Sequence, residues 1–162
     1  MHSIEPIDLL RVLLVLTLLY LAYVDLRTFR LPDVITIPMI ASGLILNGLF
    51  GSTHSGFVHF QDAIAGAVIG FTSLWMLNLS YRAIKKQNGI GMGDAKLFSA
   101  LGAWLGWSAL PGILLIASIG GLLGGFIWLR YRKQCLGAAF PFGPFLAIAG
   151  IIEVLWPQIL QI

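Results

Sequence analysis

A chain of 162 residues that is 58% hydrophobic and only 10% charged is not a water-soluble domain, which carries roughly 25% charged residues. Its length fits a single domain, residues 1–162. The net charge of +3 does not point to nucleic acid, because the basic residues fall in short loops between apolar runs, where they face anionic lipid.

The first apolar run, residues 7–24, follows Glu5 and Asp8 rather than a basic segment and lacks a small-residue cleavage site. It is therefore expected to be a retained transmembrane helix, not a signal peptide. Residues 34–50 and 63–81 supply the second and third spans. The stretch 97–129 would extend about 50 Å as one helix, too long for a hydrocarbon core of about 30 Å. A turn around residues 107–112, with Pro111 as breaker, is expected to divide it into spans four and five. A sixth span covers about residues 140–162. The predicted fold is an all-α polytopic membrane helix bundle of about six transmembrane helices, with five spans plus a re-entrant segment as the competing arrangement.

Nine of the ten Lys and Arg residues cluster in three loops: Arg27 and Arg30; Arg82, Lys85, Lys86 and Lys96; Arg130, Arg132 and Lys133. Such loops mark the cytoplasmic side, which puts both termini on the opposite face. Arg11, inside span one, is the exception and is expected to snorkel outward. Gly66 with Gly70, Gly102 with Gly106, and Gly120-Gly121 with Gly124-Gly125 recur at a four-residue spacing that favours close helix packing. Trp104, Trp107, Trp128 and Trp156 fall near predicted span ends, as an aromatic belt would.

Seven acids are present: Glu5, Asp8, Asp25, Asp33, Asp62, Asp94 and Glu153. Acids beside apolar spans are costly and so are functional candidates. Glu5, Asp8 and Asp62 fall in outer segments, whereas Asp25, Asp33 and Asp94 share the cytoplasmic side. Asp25 follows span one, and Asp94 precedes span four within Gly91-Met92-Gly93-Asp94-Ala95-Lys96. Two carboxyls converging there would share a proton, and one would take a proton from water while the other protonates a scissile carbonyl oxygen. Glycines beside Asp94 would let an extended peptide approach. The spacing alone equally allows Asp25 and Asp33 to be interfacial carboxylates paired with Arg27 or Arg30, and Asp33 fits an N-cap of span two. A transport relay through Asp25, Asp94 and Glu153 is a rival from another class.

Three segments carry a resemblance to a known family. Gly91-Met92-Gly93-Asp94-Ala95-Lys96 resembles the Gly-x-Gly-Asp-x-Lys signature of the type IV prepilin peptidases, within the wider Gly-x-Gly-Asp membrane aspartyl proteases. The segment from Asp25 to Leu31-Pro32-Asp33 is similar to that family's first aspartate segment. Pro141-Phe142-Gly143-Pro144-Phe145 is similar to its Pro-Phe-Gly-Pro stretch. The resemblance implies an inner-membrane endopeptidase whose catalytic aspartates are Asp25 and Asp94, needing no cofactor or metal. Gly91, Gly93 and Lys96 complete the second motif; Pro141, Gly143 and Pro144 would shape the cleft wall or the start of the last helix. The implied substrate is the cytoplasmic leader of a prepilin or pseudopilin precursor, cut at the membrane's inner edge. Membrane lipid is the other expected partner, and an inactive assembly factor of the same fold is the other rival.

Many members of that family also carry paired Cys-x-x-Cys motifs linked to N-methylation. Here Cys135 is the sole cysteine, so neither S-adenosylmethionine use nor a zinc site is expected. His54 and His59, in the outer loop, are expected to be solvated. Glu153 is expected to pair with Arg11 or to reach water.

Overall fold

The computed structural model describes residues 6–51, 57–85, 91–132 and 141–156. These form six α-helices: α1 (Pro6–Thr28), α2 (Asp33–Phe50), α3 (Phe60–Lys85), α4 (Met92–Leu105), α5 (Leu110–Arg132) and α6 (Gly143–Leu155), with a 3-10 turn at Trp107–Ala109. The protein is an all-α polytopic membrane bundle. Four segments, Ile7–Thr28, Asp33–Phe50, Phe60–Ile84 and Trp107–Phe126, are long and apolar enough to cross a membrane. The 14 residues of α4 and 13 of α6 reach only about 20 Å each, short of the roughly 30 Å core. The expected six spans are thus four helices of crossing length and two short ones among the described residues.

The apolar pattern explains how the long helices face. On α1, Leu14, Leu18, Leu21 and Asp25 follow a four-three-four spacing that stacks them on one face, and all four are buried. Leu13, Leu16, Leu19, Tyr20 and Tyr23 stay exposed on the remainder, as a lipid-facing surface requires. The helix stops where Phe29 adopts a left-handed conformation (φ 53°), its N–H donating to Asp25 O at 2.8 Å. Pro32 then takes the N-cap of α2, and no side chain caps it. Asp33 is therefore not the expected N-cap. It is the first helical residue, where the helix dipole favours an acid.

The centre of the bundle is α4. Leu97, Ala100, Leu101 and Ala103 are wholly buried, and α4 packs against α2, α3 and α6. Between apolar helices in lipid, cohesion comes from close packing rather than from exclusion of water. Gly66 and Gly102 supply it: a Cβ on either would collide with the other's backbone carbonyl, so α3 and α4 cross backbone to backbone. Gly70 meets the Phe98 carbonyl in the same crossing. Ser99 Oγ donates to Ala67 O at 2.8 Å. Gly120 and Gly124 of α5 seat the Phe145 ring of α6.

Three expectations need correction. Gly106 is a turn residue rather than part of a packing face: at φ 81° it breaks the chain between α4 and the 3-10 turn. Pro111 is not the breaker, because it lies in the first turn of α5, where its missing N–H costs no helical bond. The carbonyls at the end of α4 are met by Asn47, whose Nδ2 donates to Ala103 O (2.8 Å) and Trp104 O (3.3 Å). Asn47 Oδ1 accepts from the Val58 N–H at 3.0 Å, which ties the α2–α3 connection to the same point. Trp104 is no belt residue either: it is half-buried, its indole N–H donating to Met39 O at 2.8 Å. Trp107 and Trp156 are exposed.

Candidate active site

The last turn of α1 and the first turn of α4 each carry one buried acid, Asp25 at 4% and Asp94 at 8% exposure. They belong to separate helices distant in sequence, and the N-terminus of α6 brings them together. A Cβ built on Gly143 would lie 2.6 Å from Asp25 Oδ2 and 3.3 Å from Asp94 Oδ1. Both carboxyls thus border one small volume, held open because residue 143 has no side chain. The backbone amide of Gly143 lies against the Asp25 carboxyl, and that of Gly91 against the Asp94 carboxyl. Each acid therefore meets the amide-rich start of a helix, where a negative charge is favoured. Asp25 Oδ2 is buried and has no hydrogen-bond partner among the described residues. A buried carboxyl oxygen left open in this way is available to a water or a peptide group.

The supporting residues build the same corner. Gly91 is the N-cap of α4, and its carbonyl accepts from the Asp94 N–H at 3.1 Å. A Cβ on Gly93 would come within 2.8 Å of Leu31 Cβ. Glycine there lets the start of α4 lie against the segment linking α1 to α2. Lys96 does not reach the acid pair. Its Nζ donates to Asp33 Oδ1 at 2.6 Å, an ion pair joining the first aspartate segment to the second motif. Pro141 and Pro144 are buried, and Pro144 sits in the first turn of α6, where proline fits. Gly143 touches the acids more directly than its sequence position suggested. A glycine just before a proline at a span start was the available signal, but its neighbours depend on how α1 packs against α6.

The other candidates lie elsewhere. Glu153 is 3% exposed, and Arg11 is paired with Asp8 at 3.8 Å rather than with Glu153. Asp62 accepts from the Trp107 indole at 3.1 Å. His59 is exposed. Among the described residues no three His, Cys, Asp or Glu side chains group as metal ligands. His54 and Cys135 lie outside the described residues.

The profile of the type IV leader peptidase family matches residues 12–129, a span that includes both acids. The chain belongs to that family. Similar relatives are prepilin leader peptidase/N-methyltransferases. That of Pseudomonas putida is 46% identical over 95% of this chain and 51% of its own length. That of Aeromonas hydrophila is 42% identical over 89% of this chain and 48% of its own. The Pseudomonas aeruginosa protein is 43% identical over 86% and 46%. This type IV leader peptidase homologue thus spans about half the length of the curated relatives it matches. No solved structure matches it.

Proposed function

We propose that this chain is a membrane aspartyl endopeptidase that removes the leader from prepilin or pseudopilin precursors, with Asp25 and Asp94 as its catalytic pair. The observation that carries this reading is the common border of the two carboxyls at Gly143. Two acids that close and that buried resist ionising together, so one is ionised while the other keeps its proton. The ionised member takes a proton from water, whose oxygen attacks the scissile carbonyl carbon. The protonated member gives its proton to the carbonyl oxygen. Collapse of the resulting diol breaks the C–N bond, and a proton returned to the nitrogen lets the amine leave. Gly91, Gly93 and Gly143 keep side chains out of the space a peptide backbone would need.

The basic loops, by the positive-inside rule, support a cytoplasmic location for the acid pair in the bacterial inner membrane. An acid pair at helix ends suits a substrate whose basic leader meets an apolar membrane helix. Asp25 and Asp94 at one end of the bundle, with the apolar residues Leu146 to Ile152 between Gly143 and Glu153, favour hydrolysis over a transport relay through all three acids.

Co-expression with candidate precursors tests the reading. Asp25→Asn and Asp94→Asn should each slow leader removal by about a thousandfold or more, read as a mass shift, with the fold retained. Cleavage that survives both substitutions sinks it.

A further inference from the structure

The opposite end of the α1–α6 pair holds a buried acid for which the proposed cleavage has no use. Glu153 sits near the C-terminus of α6, and its Oε2 has no hydrogen-bond partner among the described residues. Ten residues separate it from Gly143, about 15 Å along the helix. It lines a cavity of about 250 Å³ together with Arg11, Leu14, Trp104 and Ser108.

A buried carboxyl without a donor is unfavourable, so something from outside the chain is expected to satisfy it. The neighbouring groups among the described residues do not. The Trp104 indole is committed to Met39. Arg11 lines the cavity but is 44% exposed and paired with Asp8 at 3.8 Å. The cavity therefore offers an acid within, a cation at its edge and apolar walls from Ile7, Leu10, Leu105 and Val154. Next to its lining residues in the chain, Trp107, Leu155 and Trp156 expose apolar side chains.

The geometry points to a binding site for an aminophospholipid, its primary ammonium on Glu153 and its phosphate on Arg11. Sites that enclose a drug-sized ligand run from about 300 Å³ upward. This smaller space takes a headgroup and leaves the acyl chains outside it. An N–H donor is required by the open Oε2, which excludes a quaternary ammonium from equal standing. The site is independent of the acid pair and stands whether or not that pair cleaves peptides.

Native mass spectrometry of the full chain in detergent tests it, titrating four probes. They are a phosphatidylethanolamine, the same lipid with its amine acetylated, a phosphatidylglycerol of matched chains, and free phosphoethanolamine. The unmodified amine lipid should bind about tenfold more tightly than the other two lipids, the scale of one hydrogen bond to a charged group. Glu153→Gln should remove that preference and leave binding of the acetylated lipid unchanged. Equal binding of all three lipids by the wild-type chain overturns the proposal, and this comparison decides even if the variant does not fold. Phosphoethanolamine binding as tightly as the lipid overturns the lipid as occupant.

Discussion

The two ends of the α1–α6 pair both bury a carboxyl oxygen without a hydrogen-bond partner among the described residues, Asp25 Oδ2 at one end and Glu153 Oε2 at the other. Their surroundings differ in kind. Asp25 has a second acid beside it and faces the start of a helix, whose free N–H groups favour negative charge. Glu153 sits in the last turn of its helix, where the dipole opposes a negative charge, and an arginine is the only charged neighbour lining its cavity among the described residues. Burial alone does not make a catalytic acid. A second acid at close range makes the proton shareable, and the helix terminus makes the ionised partner tolerable.

The sharpest way to break this comparison uses two glycines of α6. A Cβ on Gly143 would lie 2.6 Å from Asp25 Oδ2 and 3.0 Å from its Cγ, so the acid must move. Gly143→Ala should slow cleavage by about a hundredfold, the cost of displacing a reacting group by about an ångström. A Cβ on Gly150 would lie 2.6 Å from Leu101 Cδ2, the end of a side chain that can turn aside. Gly150→Ala should cost about 1 kcal/mol of stability and leave cleavage per folded molecule unchanged. Precursor cleavage rates set beside melting curves in detergent separate the two. Equal loss of activity in both variants would mean that α6 matters only as packing.

Between the two ends, the crossing of α3 and α4 gives a next, purely structural effect. A Cβ on Gly102 would strike the Gly66 backbone, which has no rotamer to escape into. Gly102→Ala should therefore destabilise the bundle by about 1–3 kcal/mol, seen as a lower Tm in detergent. The activity of the remaining folded protein should not change with it.

Much of this arrangement was legible in the amino-acid order. Run lengths set the four crossing helices, and glycine spacing anticipated the contact of Gly66 and Gly70 with α4. The break after α4 was misread because Pro111 and Gly106 lie close together and both interrupt helices. Only the geometry distinguishes a proline tolerated in a first turn from a glycine at positive φ. Local order points to Asp33 as a cap, but Pro32 takes that position and Asp33 pairs with Lys96 from another helix. The closeness of Gly143 to both acids was hidden for the same reason, since non-local packing of α1 on α6 creates it. Glu153 looked as though it would meet Arg11, but Asp8 lies one turn away on the same helix and takes the arginine first.

The Asp33–Lys96 pair gives the smallest effect, and it decides what Lys96 does. The two side chains are 57% and 26% exposed, so solvent screens them, and such a pair contributes about 0.2–1 kcal/mol. Its position matters more than its strength, because it links the start of α2 to the turn of α4 that carries Asp94. Lys96→Met and Asp33→Asn should each slow cleavage by about twofold to fivefold, the rate equivalent of that energy. The double variant should be no slower than either single one, since both remove one interaction. A Lys96→Met loss many times larger than that of Asp33→Asn would mean that the ammonium acts on the acids or the substrate directly. Rates of precursor cleavage for the four proteins of the cycle, measured at one pH, distinguish the outcomes.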